Sequence, residues 1–188
     1  MLREILVAQI KNILNSFKVI LEVAEQNQTC KRKAVGCRLV SFEDEMMIDS
    51  KVVYNGPSFN NVCSNEKGNC GCSHAEPRAI MQHLKGFART EMVLNEKVWM
   101  VCTYSPCTNC ANIIVDSGIV QGVFRDILTE HDVRGEKILL DAGIKVITKQ
   151  QLEDLLHDLD LEIIASDDLE TVHKEILMAL ENAQIKRQ

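Results

Sequence analysis

Two short stretches carry residue types that could act together as a reactive centre: His74-Ala75-Glu76 and, further along, Pro106-Cys107-Thr108-Asn109-Cys110. A catalytic zinc ion takes three protein ligands of the nitrogen and sulfur type and keeps a fourth position open. His74, Cys107 and Cys110 supply such a set. The two cysteines stand three apart at an expected helix start, so both sulfurs project from one side of its first turn. The positive end of that helix favours their thiolate forms. Glu76, two residues past the histidine, can reach water at the metal without binding the metal itself. Zinc lowers the pKa of such water to about 7. A carboxylate beside it can then carry a proton from water to a ring nitrogen and on to a leaving amine. Each piece has a plainer reading of its own. Ser73 with Glu76 fits a helix capping box, and a C-x-x-C pair alone is often half of a structural metal site or a redox pair. Only the two stretches together point to catalysis.

The elements around them read as an α/β protein. Leu2, Ile5, Leu6, Ile10, Ile13, Leu14, Phe17, Ile20 and Leu21 recur at helical spacing, so the chain opens with an amphipathic helix whose apolar stripe is core packing. Val35 to Val40 and Met47 to Tyr54 read as strands on either side of the acidic turn Glu43-Asp44-Glu45. Asn55-Gly56-Pro57 breaks the second strand. A loop rich in Asn, Gly and Cys follows as far as Cys72, and Ser73 then starts a helix through about Leu84. Val98 to Thr103 reads as a buried strand, and Cys107 to about Asp116 as a helix. Val120 to Arg125, Gly135 to Asp141 and Lys145 to Thr148 continue as strand, helix and strand. Such alternation implies a layered sheet. Two helical patterns close the chain: Leu152, Leu155, Leu156 and Leu159, then Leu169, Val172, Ile176, Leu177 and Leu180, with Asp167 and Glu170 as a capping box for the last. With 188 residues and no linker or repeat, the expectation is one domain over 1–188, its core at about 26–149 and a helical extension over 150–188.

Composition narrows the partners. A net charge of −6 argues against the broad basic surface that a nucleic-acid binder needs, although a local positive cluster could still hold a small anion. The densest such cluster is Lys31-Arg32-Lys33, as a phosphate-bearing substrate would require; its plainer reading is a solvated basic turn. No apolar run is long enough to span a bilayer, and the apolar start is interrupted by Arg3, Glu4, Lys11 and Lys18. A soluble, cytoplasmic protein with no membrane partner is expected. In a reducing compartment the clustered cysteines among the eight favour metal over disulfide. Cys37 and Cys102 fall inside strands and read as small buried hydrophobes. His83, His157 and His173 lie on helical patterns without clustered partners, and His131-Asp132 follows a strand as a weaker candidate.

The order H-x-E followed by P-C-x-x-C is the pattern of zinc nucleobase deaminases, and the chain resembles the deoxycytidylate (dCMP) deaminase family, particularly its phage members, over roughly 26–149. Cys30-Lys31-Arg32-Lys33-Ala34-Val35-Gly36 is similar to the family's C-x-R-R/K-x-V-G segment, and Tyr54-Asn55-Gly56 to its G-Y-N-G loop. Thr103-Tyr104-Ser105-Pro106-Cys107 is similar to its T-x-x-P-C entry, and Asp141-Ala142-Gly143-Ile144 to the A-G-I/V before the last core strand. The resemblance implies an α/β/α sandwich of three layers with a mixed five-stranded sheet, and zinc at the start of two neighbouring helices. It implies hydrolysis of dCMP to dUMP, with Asn55 on the sugar hydroxyl, Arg32 on the 5′-phosphate, and Ala75 and Ser105 at the substrate. Asn55 beside Gly56 is equally at home as a simple turn residue.

The same resemblance implies a homohexamer activated by dCTP and inhibited by dTTP with Mg²⁺. An effector site is expected to draw on Lys31, the Tyr54–Asn61 loop, and Arg78 or Lys85 of the next helix. It also implies a second, structural zinc, for which Cys30, Cys63, Cys70 and Cys72 are the expected ligands; free or partly oxidised thiols are the alternative. The chain departs from the family in having Pro77-Arg78 where Leu-Asn is usual, and Val53 where a glycine is usual. Pro77 suits the first turn of a helix. Other functions remain open: deamination of CMP, a nucleoside or guanine; editing of tRNA or DNA, which the acidic balance opposes; or a zinc-stabilised binding module without catalysis, which has no need of Glu76.

Overall fold

A computed structural model of the chain describes residues 2–43, 46–57, 62–66, 70–90, 98–130 and 132–160. It opens with helix α1 (Leu2–Gln26), followed by strands β1 (Gly36–Glu43), β2 (Met46–Asp49), β3 (Val53–Tyr54), β4 (Gly56–Pro57) and β5 (Cys72–Ser73). Helix α2 (Ala75–Thr90), strand β6 (Val98–Tyr104), helix α3 (Thr108–Ser117) and strand β7 (Val120–Ile127) come next. Helix α4 (Val133–Asp141), strand β8 (Lys145–Thr148) and helix α5 (Lys149–Asp160) complete the described part. The terminal pattern from Leu169 to Leu180, with its Asp167–Glu170 box, lies outside the described residues, as do His131, His173 and the Asp44-Glu45 part of the acidic turn.

The main sheet is mixed, in the order β2-β1-β6-β7-β8, with β3 also paired to β1. β2 and β3 lie antiparallel to different stretches of β1, so they share one edge and the sheet has five strand positions, as expected. β1 and β6 are antiparallel, while β6, β7 and β8 run parallel. One expected strand is divided. Met47 to Tyr54 breaks at Ser50, whose hydroxyl accepts the backbone N–H of Leu39 at 2.9 Å while its carbonyl accepts from Arg38 Nε at 3.1 Å. A side chain takes the ladder position there, and the pairing resumes only at Val53.

Alternation along the strands sends side chains to opposite faces. Cys37, Leu39, Met100, Cys102 and Val123 pack with Ala79 and Ile80 of α2, Ala111 and Ile114 of α3, and Leu139 of α4. Val40, Val101, Phe124 and Ile147 meet Ile10, Ile13, Phe17 and Ile20 of α1, and Leu152 and Leu159 of α5. The result is the three-layer α/β/α arrangement. Cys37 and Cys102 are fully buried register partners with their sulfurs 3.4 Å apart, so they do serve as core residues. Leu21, at the edge of the α1 stripe, is 39% exposed and falls off the packed face.

Trp99 stacks on Phe124, with ring centroids 4.6 Å apart, over Gly122 of β7. A Cβ on Gly122 would fall within 2.6 Å of three atoms of the indole ring. We therefore expect Gly122→Ala to destabilise the protein by roughly 1–3 kcal/mol through displacement of that stack. Urea denaturation monitored by the fluorescence of Trp99 measures it, and an unchanged midpoint would contradict the packing.

Candidate active site

Helices α2 and α3 both begin where the reactive stretches lie. α2 starts at Ala75, two residues later than the expected start at Ser73. The reason is that Cys72-Ser73 pairs with Gly56-Pro57 as a short ribbon, which leaves His74 as the residue before the helix. Pro77 is the third residue of α2, in the turn whose N–H groups have no intrahelical partner. Cys107 is the N-cap of α3, in extended backbone, with Cys110 in the first turn. The Nδ1 atom of His74 lies 3.5 Å from Cys107 Sγ and 3.3 Å from Cys110 Sγ. The three donor atoms all fall within 4.8 Å of one another, a group able to hold one metal ion.

Glu76 is 3% exposed, and its Oε2 has no hydrogen-bond partner. Burial raises its pKa above the ordinary carboxylate value, while its own backbone N–H and the neighbouring His74 pull the other way. A hydrogen bond from Cys110 pushes the Cys107 thiol down to about 3, and His74 supports the same direction. The proton on Cys110 is correspondingly hard to remove, because the Cys107 thiolate accepts it and the site is buried. His74 is raised, first by its hydrogen bond to Cys107. An orphaned buried carboxylate oxygen beside one imidazole and two sulfurs is the donor chemistry that a zinc ion with an attendant proton carrier requires, so the residues fit that metal.

Cys30, Cys63, Cys70 and Cys72 form a second cluster, also with donor atoms within 4.8 Å of one another and also able to hold an ion. Cys63 Sγ accepts the backbone N–H of Lys31 at 3.4 Å, and that bond brings the thiol down to about 7. Cys72 is raised, chiefly by burial.

The remaining expected residues divide. Asn55 is 7% exposed and bridges the entry to β1: Oδ1 accepts from Val35 N at 2.9 Å and Nδ2 donates to the Lys33 carbonyl at 3.0 Å. One lone pair and one N–H remain on that amide. Ala75 is fully buried at the first turn of α2, and Ser105 is 3% exposed, its N–H given to the Ile127 carbonyl at 2.7 Å. Lys31 and Arg32 are exposed, while Lys33 holds its ammonium 3.9 Å above the ring of Tyr104. Arg78 donates to the carbonyls of Tyr54 at 2.8 Å and Pro57 at 3.2 Å. It thus ties α2 to the preceding loop. Tyr54, Arg78 and Lys85 line a cleft of about 450 Å³ together with Lys51 and Met81, away from the three metal donors. Asn61 lies outside the described residues.

One pair escaped the sequence reading. Arg125 and Glu136 form an ion pair with Nε 3.2 Å from Oε2. The signal was a lone arginine inside the apolar strand Val120–Ile127.

The chain matches the family of the cytidine and deoxycytidylate deaminase zinc-binding region over residues 11–125, and it belongs to that family. A solved dCMP deaminase from the cyanophage S-TIM5, in complex with dCMP and dUMP, is 26% identical to it. The match covers 74% of this chain and 96% of that one, with a TM-score of 0.56. The apo form of the same phage enzyme is 24% identical over 73% of this chain and 97% of that chain, with a TM-score of 0.53. A Rib2 deaminase from Aspergillus oryzae in complex with DARIPP shares the fold at 17% identity, over 78% of this chain and 88% of that chain, with a TM-score of 0.50. Among curated protein sequences there is no match.

The raised carboxyl of Glu76 has a consequence for stability. A folded-state pKa above the ordinary 4.5 means that folding favours the protonated acid. The associated stability is present below that value and is lost as pH rises through the folded-state pKa. In metal-free protein, Glu76→Gln should therefore raise the melting temperature at neutral pH and leave it nearly unchanged at pH near 4.5. Thermal unfolding across that range tests it; a gain of the same size at every pH would remove burial of the charge as its cause.

Proposed function

We propose that the protein is a hydrolase that converts dCMP to dUMP and ammonia at the His74–Cys107–Cys110 centre. The observation that carries this reading is the buried Oε2 of Glu76, without a hydrogen-bond partner, beside three convergent metal donors. A zinc ion held by His74 Nδ1 and the two sulfurs would supply a Lewis acid able to bring the pKa of water down to about 7. Glu76 takes a proton from the attacking water and places it on N3 of the cytosine ring. It then delivers the second water proton to the departing amine, so that water and dCMP become dUMP and ammonia. Burial, by raising the carboxyl's affinity for a proton, suits it to hold that proton between the two transfers.

Four features support the nucleotide as substrate. Ala75 and Ser105, both buried and next in the chain to His74 and Pro106-Cys107, are the expected contacts for the edge of a pyrimidine ring. Asn55 keeps one donor and one acceptor for a sugar hydroxyl. Lys31 and Arg32 are exposed and positive for a 5′-phosphate. The phage relative is described in complex with dCMP and dUMP. Regulation by dCTP and by dTTP with Mg²⁺, in a homohexamer, is the reading of the cleft lined by Lys51, Tyr54, Arg78 and Lys85, whose cations suit a triphosphate. A second zinc, structural in role, is the reading of the four-thiolate cluster.

Turnover of dCMP, followed by ammonia release, should fall by several orders of magnitude in Glu76→Ala while the catalytic zinc stays bound. Charge reversal at Arg32 should raise KM for dCMP much more than for deoxycytidine. Turnover of guanine or RNA in place of dCMP would discard the proposal, and an equal loss on dCMP and deoxycytidine would discard the phosphate role. Metal analysis should give two zinc ions per chain, falling to one when Cys63→Ser and Cys70→Ser are combined. A value of one in the unsubstituted protein would remove the second site.

A further inference from the structure

We infer that Glu136 is a positioning residue for the loop that carries Cys107, held in that role by Arg125. The inference rests on the proposed metal centre. Arg125 is largely buried in β7, and its Nε and Nη2 donate to Oε2 and Oε1 of Glu136 at 3.2 and 3.4 Å. A paired fork of this kind fixes the carboxylate in one orientation. The same Oε2 accepts the hydroxyl of Ser105 at 3.4 Å, while the backbone N–H of Ser105 is held by Ile127 at the end of β7. Both donors of Ser105 are thereby anchored two residues before Cys107.

A second contact, independent of the charges, presses on the same loop. A Cβ on Gly135 would lie 2.1 Å from the Pro106 carbonyl oxygen and 2.8 Å from the Cys107 carbonyl carbon. Only a glycine lets the backbone of α4 come so close. Helix α4 therefore seats directly on 106–107, and Glu136, the next residue, bolts it to β7 through Arg125. Cys107 has no side-chain cap of its own and is the less buried of the two cysteine donors, so its place opposite His74 depends on this backing. Groups that orient metal ligands from outside commonly change metal affinity or activity by 10- to 100-fold when removed.

The test uses the full-length protein loaded with cadmium-113. A cadmium ion held by two thiolates and an imidazole resonates apart from one held by four thiolates. Glu136→Ala should shift or broaden the two-thiolate resonance and weaken affinity there on the order of tenfold. It should lower kcat for dCMP with little change in KM. Glu136→Gln, which keeps an acceptor for Ser105 but no charge for Arg125, should fall between. Backbone amide signals of α1, on the opposite face, report whether the fold is kept, and the Gln variant decides if the Ala variant loses it. An unchanged resonance and affinity in a folded variant would overturn the inference, as would a rise in KM alone. No two-thiolate resonance in the unsubstituted protein would instead sink the metal centre, and this inference with it.

Discussion

A buried carboxylate with no hydrogen-bond partner for one of its oxygens is the constraint around which the rest of this protein is arranged. Leaving an acid in that condition is unfavourable, so the surroundings must hold it there against its own tendency to escape. Glu76 sits in the first turn of α2, pinned beneath by Ala75 and Ala79 against the central strands. Two of the three donors beside it, Cys107 and Cys110, come from a different helix, α3, which follows β6, whereas α2 follows the β4–β5 ribbon. Both helices pack on one face of a sheet that is covered on both. Removing either face would free the helices to separate. The apolar layers are thus the reason one carboxylate oxygen can stay without a partner.

The grouping of His74, Cys107 and Cys110 was legible in the residue types, and most of the framework in their periodicity. Strand β8 falls on the expected residues, and β6 and α3 start within a residue of expectation. The misses have local causes. Ser50 lends a hydroxyl to the β1 ladder, which no alternation of apolar residues reveals. The start of α2 is set by a two-residue ribbon with Gly56-Pro57, a pairing across a stretch of chain too long for pattern reading. Arg125 and Glu136 belong to different elements, eleven residues apart, and become partners only when α4 folds onto β7. Long-range polar pairing of this kind leaves little trace in sequence beyond an odd residue in an apolar run.

Positive charge in this acidic chain is divided among unlike duties. Arg78 gives its guanidinium to two backbone carbonyls and so works as a tie between helix and loop. Lys33 rests on the face of Tyr104, one residue before Ser105. Arg125, itself buried, pairs with the half-buried Glu136. Lys31 and Arg32 remain exposed. Counting cations along the chain would treat all of these alike; only their surroundings separate the structural ones from those free to meet a ligand.

Cys72 and His74 stand on either side of a single residue, one in each of the two clusters. Two residues of chain reach at most about 7 Å, so the knot of four sulfurs and the imidazole share a short tether with no slack. Whatever loosens the knot, an oxidant or a competing chelator, tugs on that tether as well. Damage at the four sulfurs would then be felt as a histidine out of register, and the proposed metal centre would fail first.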